Sequence, residues 1–332
     1  MCILIYPQDN ETIDLYTSIQ NEFIEKINNL GTESALEWLL TVKNGIERSY
    51  PQDITFKWCD NNSSEYIFEL SNNQYFNEPI IMKTKDSYCT ITNLENGTRY
   101  YWRVNNSKYN TFTTKEKSQR FIKIGGLLNV RDIGGKNIRQ GLIYRGSELD
   151  CKFNITEEGK HTFCKELGIK TDLDLRFEPH EHVNDSPAGE SVTLRKIKYR
   201  PYMEIFEEQY RKNICAIMEL FADKSNYPIY IHCMGGADRT GMIAIYLRAI
   251  AGESENDIHL DYELTGLSTY GAGAEEGADG FRSRNNCYYK EFISALDKFA
   301  PSKTLNEKVI GFLKDCGVSQ NCIDTIYSII KA

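Results

Sequence analysis

The sequence predicts two domains: an antiparallel β-sandwich with a helical N-terminal segment over residues 1–118, then an α/β domain over 119–332 whose mostly parallel sheet is flanked by helices. Three observations carry this. Between residues 54 and 104 apolar residues alternate with polar ones at period two. From residue 142 to 251 short apolar runs alternate with helical patterns, the signature of a parallel sheet with helical crossovers. Within that region, Pro228-Ile-Tyr-Ile-His-Cys-Met-Gly-Gly-Ala-Asp-Arg-Thr-Gly-Met242 reads as an apolar strand, a tight glycine loop and a long apolar helix.

At 332 residues the chain exceeds one typical domain. Near its start Leu15, Ile19, Phe23 and Ile27 recur every fourth residue, one stripe on a helix face, and residues 34–42 suggest a second short helix, with Gly31 and Gly45 as punctuation. The stripe fits packing on a neighbouring domain better than a partner site. Ile54, Phe56 and Trp58, then Tyr66, Phe68 and Leu70, then Tyr100, Trp102 and Val104 mark strands with one buried face. Asn-rich and Asn-Gly turns between them favour a sandwich. The run Leu94-Glu-Asn-Gly-Thr-Arg-Tyr-Tyr-Trp-Arg-Val104 resembles the second half of fibronectin type III domains, which implies a module that engages a protein partner. Residues 113–119 are polar and mark the boundary. Beyond it, Thr156 caps a helix closed by Gly168, residues 169–175 and 192–199 read as strands, residues 203–223 as a long amphipathic helix, and residues 285–331 as three further helices.

The 228–242 stretch carries the chemistry. Cys233 and Arg239 bracket five residues, Met234, Gly235, Gly236, Ala237 and Asp238, whose backbone N–H groups can converge on one anion in front of a helix N-terminus. Arg239 can fork two hydrogen bonds onto a phosphoryl group above Cys233. A helix N-terminus and a nearby cation lower a thiol from about 8.5 into the range of about 3.5–7.5, so the loop that holds the phosphate also ionises its nucleophile. Thr240 can donate to the departing sulfur, and His232 orients the loop through hydrogen bonds. Cysteine and arginine six apart occur by chance, as a buried cysteine with an arginine in a surface ion pair. Here strand, His-Cys, paired glycines, Asp-Arg-Thr-Gly and helix occur together. A nucleotide P-loop is excluded because no Gly-Lys-Ser/Thr follows the glycines.

This loop resembles the signature of cysteine-dependent protein tyrosine phosphatases, and its His-Cys-x-x-Gly-x-Asp-Arg-Thr-Gly form is similar to a bacterial group that includes secreted mycobacterial and listerial lipid/tyrosine phosphatases. Asn129-Val-Arg-Asp-Ile-Gly-Gly135 with Leu142-Ile-Tyr-Arg145, and Thr171-Asp-Leu-Asp-Leu-Arg176, match the same group, so the resemblance spans about residues 120–331. It implies that Asn129, Arg131, Asp132 and Arg145 lie beside the phosphate loop; a structural ion-pair corner is the alternative for Arg131, Asp132 and Arg145. One departure is Ala237, where the best-known members carry lysine before the loop aspartate, which weighs against multiply anionic phosphoinositides.

Hydrolysis through a thiol needs a proton donor for the leaving oxygen and later an acceptor for water's proton. Many branches supply it as an aspartate on a separate loop, but residues 199–205 hold only Glu204. Asp238 is therefore the expected acid, as in the resembling branch, and its alternative role is to pin Arg239. Asp172, Asp174 and Glu178 are the alternates. His180-Glu-His182 looks like a metal pair, but with five histidines in the chain and no third ligand it reads as a solvated turn. No metal and no cofactor are expected, since Arg239 and the loop amides supply the positive field.

A net charge of −8 argues against nucleic-acid binding, and no apolar run approaches a membrane span. Ten scattered cysteines without a CxxC look like reduced thiols. The opening Met-Cys-Ile-Leu-Ile-Tyr-Pro lacks the basic flank of a signal peptide, so a cytoplasmic protein is expected; the alternative is a secreted or surface-anchored protein with Cys2 as a lipid-attachment site. The acidic segment 271–280 reads as a solvated loop or, alternatively, a lid. The expected activity is hydrolysis of phosphorylated protein, phosphotyrosine above all, or a small phosphomonoester. Inositol phosphates or phosphoinositides are the enzymatic alternative, and an inactive phosphate-recognition module the non-enzymatic one. A rhodanese-like sulfur carrier leaves the Asp-Arg-Thr tail unexplained.

Overall fold

The computed structural model describes residues 2–43, 45–60, 64–177, 184–270 and 282–332. The chain forms two compact units that interleave in sequence, Met1–Thr17 with Pro51–Arg120, and Ser18–Tyr50 with Phe121–Ala332.

The first unit contains β1 (Ile3–Tyr6), β2 (Glu11–Ile13), β3 (Ile54–Cys59), β4 (Tyr66–Ser71), β5 (Ile80–Thr84), β6 (Tyr88–Ile91), β7 (Arg99–Val104) and β8 (Asn110–Thr114). They make a three-stranded sheet, β1-β3-β6, and a five-stranded sheet, β2-β8-β7-β4-β5. All pairs are antiparallel except β2–β8. The alternating residues face inward: Ile54, Phe56, Trp58, Phe68, Leu70, Trp102 and Val104 are almost wholly buried. Phe56 from the smaller sheet meets Phe68, Trp102 and Phe112 of the larger edge to face, with centroids 4.8, 5.2 and 5.7 Å apart. The two sheets therefore share one aromatic core, a sandwich. Leu15 belongs to this core and not to the helical stripe in which the sequence placed it.

The second unit begins with α1 (Ser18–Leu30) and α2 (Thr32–Lys43), joined at Gly31 with φ +85°. Assigned by sequence to the first domain, these helices pack within the second unit: Leu36, Phe23 and Leu39 close around Gly266, where an added Cβ would meet them at 3.2, 3.5 and 3.6 Å. The reason is burial, since the α1 stripe of Phe23 and Ile27 is covered there.

The sheet of this unit holds β9 (Arg120–Phe121), β10 (Arg131–Asp132), β11 (Ile143–Gly146), β12 (Thr171–Asp174), β13 (Thr193–Lys196) and β14 (Ile229–His232), in the order β13-β12-β14-β11-β10-β9. β14 lies between β12 and β11 and is parallel to both, β13 is parallel to β12, and β10 is antiparallel to β11. Helices are α3 (Glu157–His161), extended by a π-helical turn over Thr162–Glu166, α4 (Glu208–Phe221), α5 (Asp238–Ile250), α6 (Glu255–Glu263), α7 (Cys287–Leu296), α8 (Leu305–Asp315) and α9 (Gln320–Ile330). Thr156 caps α3 by accepting from the Gly159 amide, and Gly168 follows at φ +61°. Residues 240–250 of α5 are buried on every side, the pattern of a helix enclosed between a sheet and other helices. All ten cysteines are free thiols. Among the described residues no helix is long and apolar enough to cross a membrane.

Candidate active site

β14 delivers His232 and Cys233 at its carboxyl end, between the ends of β11 and β12, and α5 starts at Asp238. Such strand ends are where open α/β sheets hold ligands. Residues 234–237 bend the chain from one element to the other, and their carbonyls all point outward. Met234 O accepts from the Glu148 amide at 2.9 Å. Gly235 O and Gly236 O accept from Asn129 Nδ2 at 3.0 and 3.2 Å. Gly236 O and Ala237 O accept from Arg145 Nη2 at 2.7 and 3.2 Å. In a trans peptide the N–H opposes the C=O, so carbonyls that point outward turn the amides of Gly235, Gly236, Ala237 and Asp238 away from those partners, to the inner side of the bend. Two glycines are required. Gly236 sits at φ +65° with a Cβ position 2.3 Å from the Gly146 carbonyl, and a Cβ on Gly235 would lie 2.0 Å from the Tyr270 ring.

Cys233 is buried at the floor of this turn. Burial pushes its thiol up, but Arg239, then the Thr240 hydroxyl and amide, outweigh burial and hold the group below the ordinary thiol value. Arg239 follows Asp238 in the first turn of α5, and its Nη1 lies 3.5 Å from the Leu175 carbonyl. His232 is fully buried, with Nε2 2.9 Å from Asp172 Oδ1 and Nδ1 3.2 Å from the Cys233 carbonyl. Burial pushes the imidazole down, but the carboxylates of Asp172 and Asp174 together outweigh it and raise the group to about 9, which favours the cationic form and weighs against His232 as a general base near neutrality. Asp172 also accepts from Ser186 Oγ at 2.7 Å. Asp174 pairs with Arg176, whose Nη1 reaches Glu148 at 2.9 Å and Asp150 at 2.6 Å. These two aspartates are thereby spoken for as buried partners of His232 and Arg176. Glu178, His180 and His182 lie outside the described residues, as does segment 271–280.

The resemblance-derived residues separate. Asn129, at φ +58°, and Arg145 grip the loop carbonyls directly. Arg131 acts one step back, donating to Asn129 Oδ1 and to the Asp261 carbonyl at 3.0 Å. Asp132 instead accepts from the Gly134 and Gly141 amides at 2.8 and 2.6 Å and ties the turn between β10 and β11. Asp261, which the sequence did not single out, is the hub: its carboxylate contacts Arg131 at 3.4 Å, Arg145, and Arg248 at 3.7 Å, all buried. Burial opposes its ionisation, but Arg145, Arg248 and Arg131 outweigh it and hold the carboxyl well below the usual range. Burial and the neighbouring Arg145 in turn lower Arg131 to about 9.

Asp238 is held by residues that sequence patterns did not reveal. The Tyr202 hydroxyl donates to Oδ1, as does Tyr262 at 2.9 Å, and Arg282 lies 3.3 Å from both oxygens. Tyr202 sits at φ +55°, an uncommon backbone for a bulky residue. At the mouth, Phe153 stands edge-on to Tyr270 at 5.9 Å, and Lys152 Nζ lies 5.3 Å from the Tyr270 ring.

No curated protein matches the chain. Among solved structures it is similar to the core catalytic domain of PP-IP phosphatase SIW14 from S. cerevisiae in complex with citrate, with 17% identity, a TM-score of 0.30, and coverage of 50% of this chain and 95% of that one. A second structure, of the Siw14 catalytic core, shows 17% identity and a TM-score of 0.29, covering 50% of this chain and 94% of that one. The model of the tyrosine phosphatase family matches residues 122–329, more than half of the 332-residue chain, and the chain belongs to that family.

Proposed function

We propose that the protein is a protein tyrosine phosphatase acting through a cysteinyl-phosphate. The observation that carries this is that the carbonyls from Met234 to Ala237 all accept from donors outside the loop, which leaves the amides that follow them free to face an anion on the other side, next to Cys233. Three equatorial phosphoryl oxygens would meet those amides and the Arg239 guanidinium, with sulfur in line behind phosphorus. The thiolate attacks, the P–O bond to the leaving group breaks as S–P forms, and Asp238 gives its proton to the leaving oxygen. Water then attacks the cysteinyl-phosphate, Asp238 takes back a proton, and S–P breaks to free phosphate and thiolate.

Tyr270 and Phe153 support an aryl phosphate, because they place aromatic walls beside the loop. The inositol-phosphate reading has its own support in Lys152 and Arg282, two cations on the Tyr270 ring at 5.3 and 5.9 Å, while Ala237 adds none. The sandwich is read as fibronectin type III-like on the corner in which the Glu95 amide donates to the Tyr100 hydroxyl at 3.0 Å.

The test is aryl-phosphate hydrolysis with EDTA present by wild type, Cys233→Ser and Asp238→Asn. Turnover lost in the first and lowered roughly 10²–10⁴-fold in the second supports nucleophile and acid together. Higher kcat/KM on phosphotyrosine peptide than on inositol polyphosphate supports the first reading, and the reverse order the second. No activity on either, with phosphate still bound, would leave a recognition module.

A further inference from the structure

The stretch from Glu47 to Tyr50 lies in sequence between α2 and β3. In the structure it runs beside the phosphate loop within the second unit. Gln20, fully buried on α1, donates from Nε2 to the carbonyls of Arg48 at 2.8 Å and Tyr50 at 2.7 Å. The Arg48 amide donates to the Leu267 carbonyl at 3.0 Å, and the Tyr50 hydroxyl to the Leu127 carbonyl at 3.1 Å. The segment is thus pinned along its length.

From this fixed base the Glu47 carboxylate sends out two arms. On one side Oε1 accepts from the Ser49 hydroxyl, and Ser49 Oγ accepts from the Asn129 amide at 3.2 Å. Asn129 is the residue whose side chain holds the carbonyls of Gly235 and Gly236. On the other side Oε2 accepts from Ser268 Oγ at 3.0 Å, the Thr269 amide at 2.8 Å and Thr269 Oγ1 at 3.0 Å. Thr269 leads directly into Tyr270, whose ring packs on Gly235 so closely that no Cβ fits between them. Both arms end at Gly235. A carboxylate is suited to this role because it accepts on both oxygens at once and offers no competing donor. Charge-assisted bonds of this kind are also stronger than neutral ones.

We propose that Glu47 and Ser49 are positioning residues of the phosphate loop, which makes segment 47–50 part of the catalytic unit although some 70 residues of sandwich separate it in sequence from the rest. Ser49 sets the backbone of Asn129 and hence its grip on two loop carbonyls, and Glu47 sets both Ser49 and the Tyr270 wall. The inference rests on the phosphatase reading of the loop.

The experiment uses the full chain with Glu47→Gln, Ser49→Ala and Thr32→Val. Thr32 sits on the same helical hairpin but bonds Glu263 at 2.7 Å, so it reports hairpin stability alone. Three quantities are read: kcat and KM on aryl phosphate, the concentration of inorganic phosphate that protects Cys233 from iodoacetate, and Tm. Glu47→Gln sets an amide N–H against donors on one side, and Ser49→Ala leaves the Asn129 amide without its acceptor. Each is expected to lower kcat by roughly ten- to a hundredfold, the usual effect of small displacements at a reacting centre, and to weaken phosphate protection. Thr32→Val is expected to lower Tm without either change. Wild-type kcat and phosphate protection in both Glu47→Gln and Ser49→Ala would overturn the proposal, as would losses in all three variants that simply follow Tm. A wild type that turns over no phosphomonoester, yet is protected by phosphate in a manner that depends on Glu47 and Ser49, would sink the phosphatase reading and leave the positioning role standing.

Discussion

Asp261→Asn is the sharpest perturbation of the site's frame. The carboxylate is 1% exposed and faces Arg131, Arg145 and Arg248. Arg248 retains Glu253 when the charge is removed, but Arg131 and Arg145 lose their carboxylate while remaining fully buried. An asparagine can accept from one of them and turns an N–H₂ donor toward the other. Breaking a buried ion pair on one side costs about 3–5 kcal/mol. For a folded unit of this size each kcal/mol moves Tm by about 2–4 °C, so a fall of about 6–20 °C is expected. Differential scanning calorimetry on the full chain should show it in the transition of the unit that contains Asp261. Activity should fall as well, because Arg145 also holds the Gly236 and Ala237 carbonyls. The pH dependence gives a further check. Since the folded-state value of Asp261 is depressed, its contribution is present above the unfolded carboxyl value of about 3.9 and is lost only as pH falls through the folded value. The difference between wild type and variant should therefore stay constant from about pH 5 to 8. A Tm loss under about 2 °C with unchanged kcat would refute the three-arginine hub as a stabilising element.

Arg239→Ala should move the pH midpoint of Cys233 alkylation upward, because Arg239 leads the influences that oppose burial; Cys89 and Cys316, pushed up to about 12 by burial, should stay unreactive near neutral pH in both proteins. An unmoved midpoint would shift the credit to the loop amides. Asp172→Asn should destabilise most at low pH: His232 is raised to about 9, so its pairing contributes fully below its unfolded value of about 6.5 and fades as pH rises through 9. Urea unfolding at several pH values reads this, and a deficit that grows with pH would refute it. Gly236→Ala places a Cβ 2.3 Å from the Gly146 carbonyl at φ +65°, so kcat should fall on the order of 10²-fold while the sandwich transition in calorimetry stays in place.

Sequence pattern sufficed wherever the interacting residues are neighbours along the chain. The strand, glycine loop and helix from Ile229 to Ile250 are consecutive, so period, glycines and charge spacing announce them together. Strands β3, β4 and β7 bury one face against the same aromatic core, and strict alternation follows. The edge strand β5 does not alternate, with Ile80 and Ile81 both exposed, and β1 likewise exposes Ile3 and Ile5; neither showed in the sequence. Amphipathicity announced α1 and α2, but a stripe states only that one face must be covered and not by what, so their place in the second unit waited on the tertiary structure. The same limit hid the partners of Asp238, Tyr202, Tyr262 and Arg282, which lie 36, 24 and 44 residues away, and hid Glu47, 221 residues from Ser268. A hydrogen bond aimed across a fold leaves no periodicity, and a buried Asp261 or a half-buried Glu47 is indistinguishable in sequence from a solvated carboxylate. The strand, loop and helix of the site are local and were legible, whereas the frame that holds them is assembled by packing.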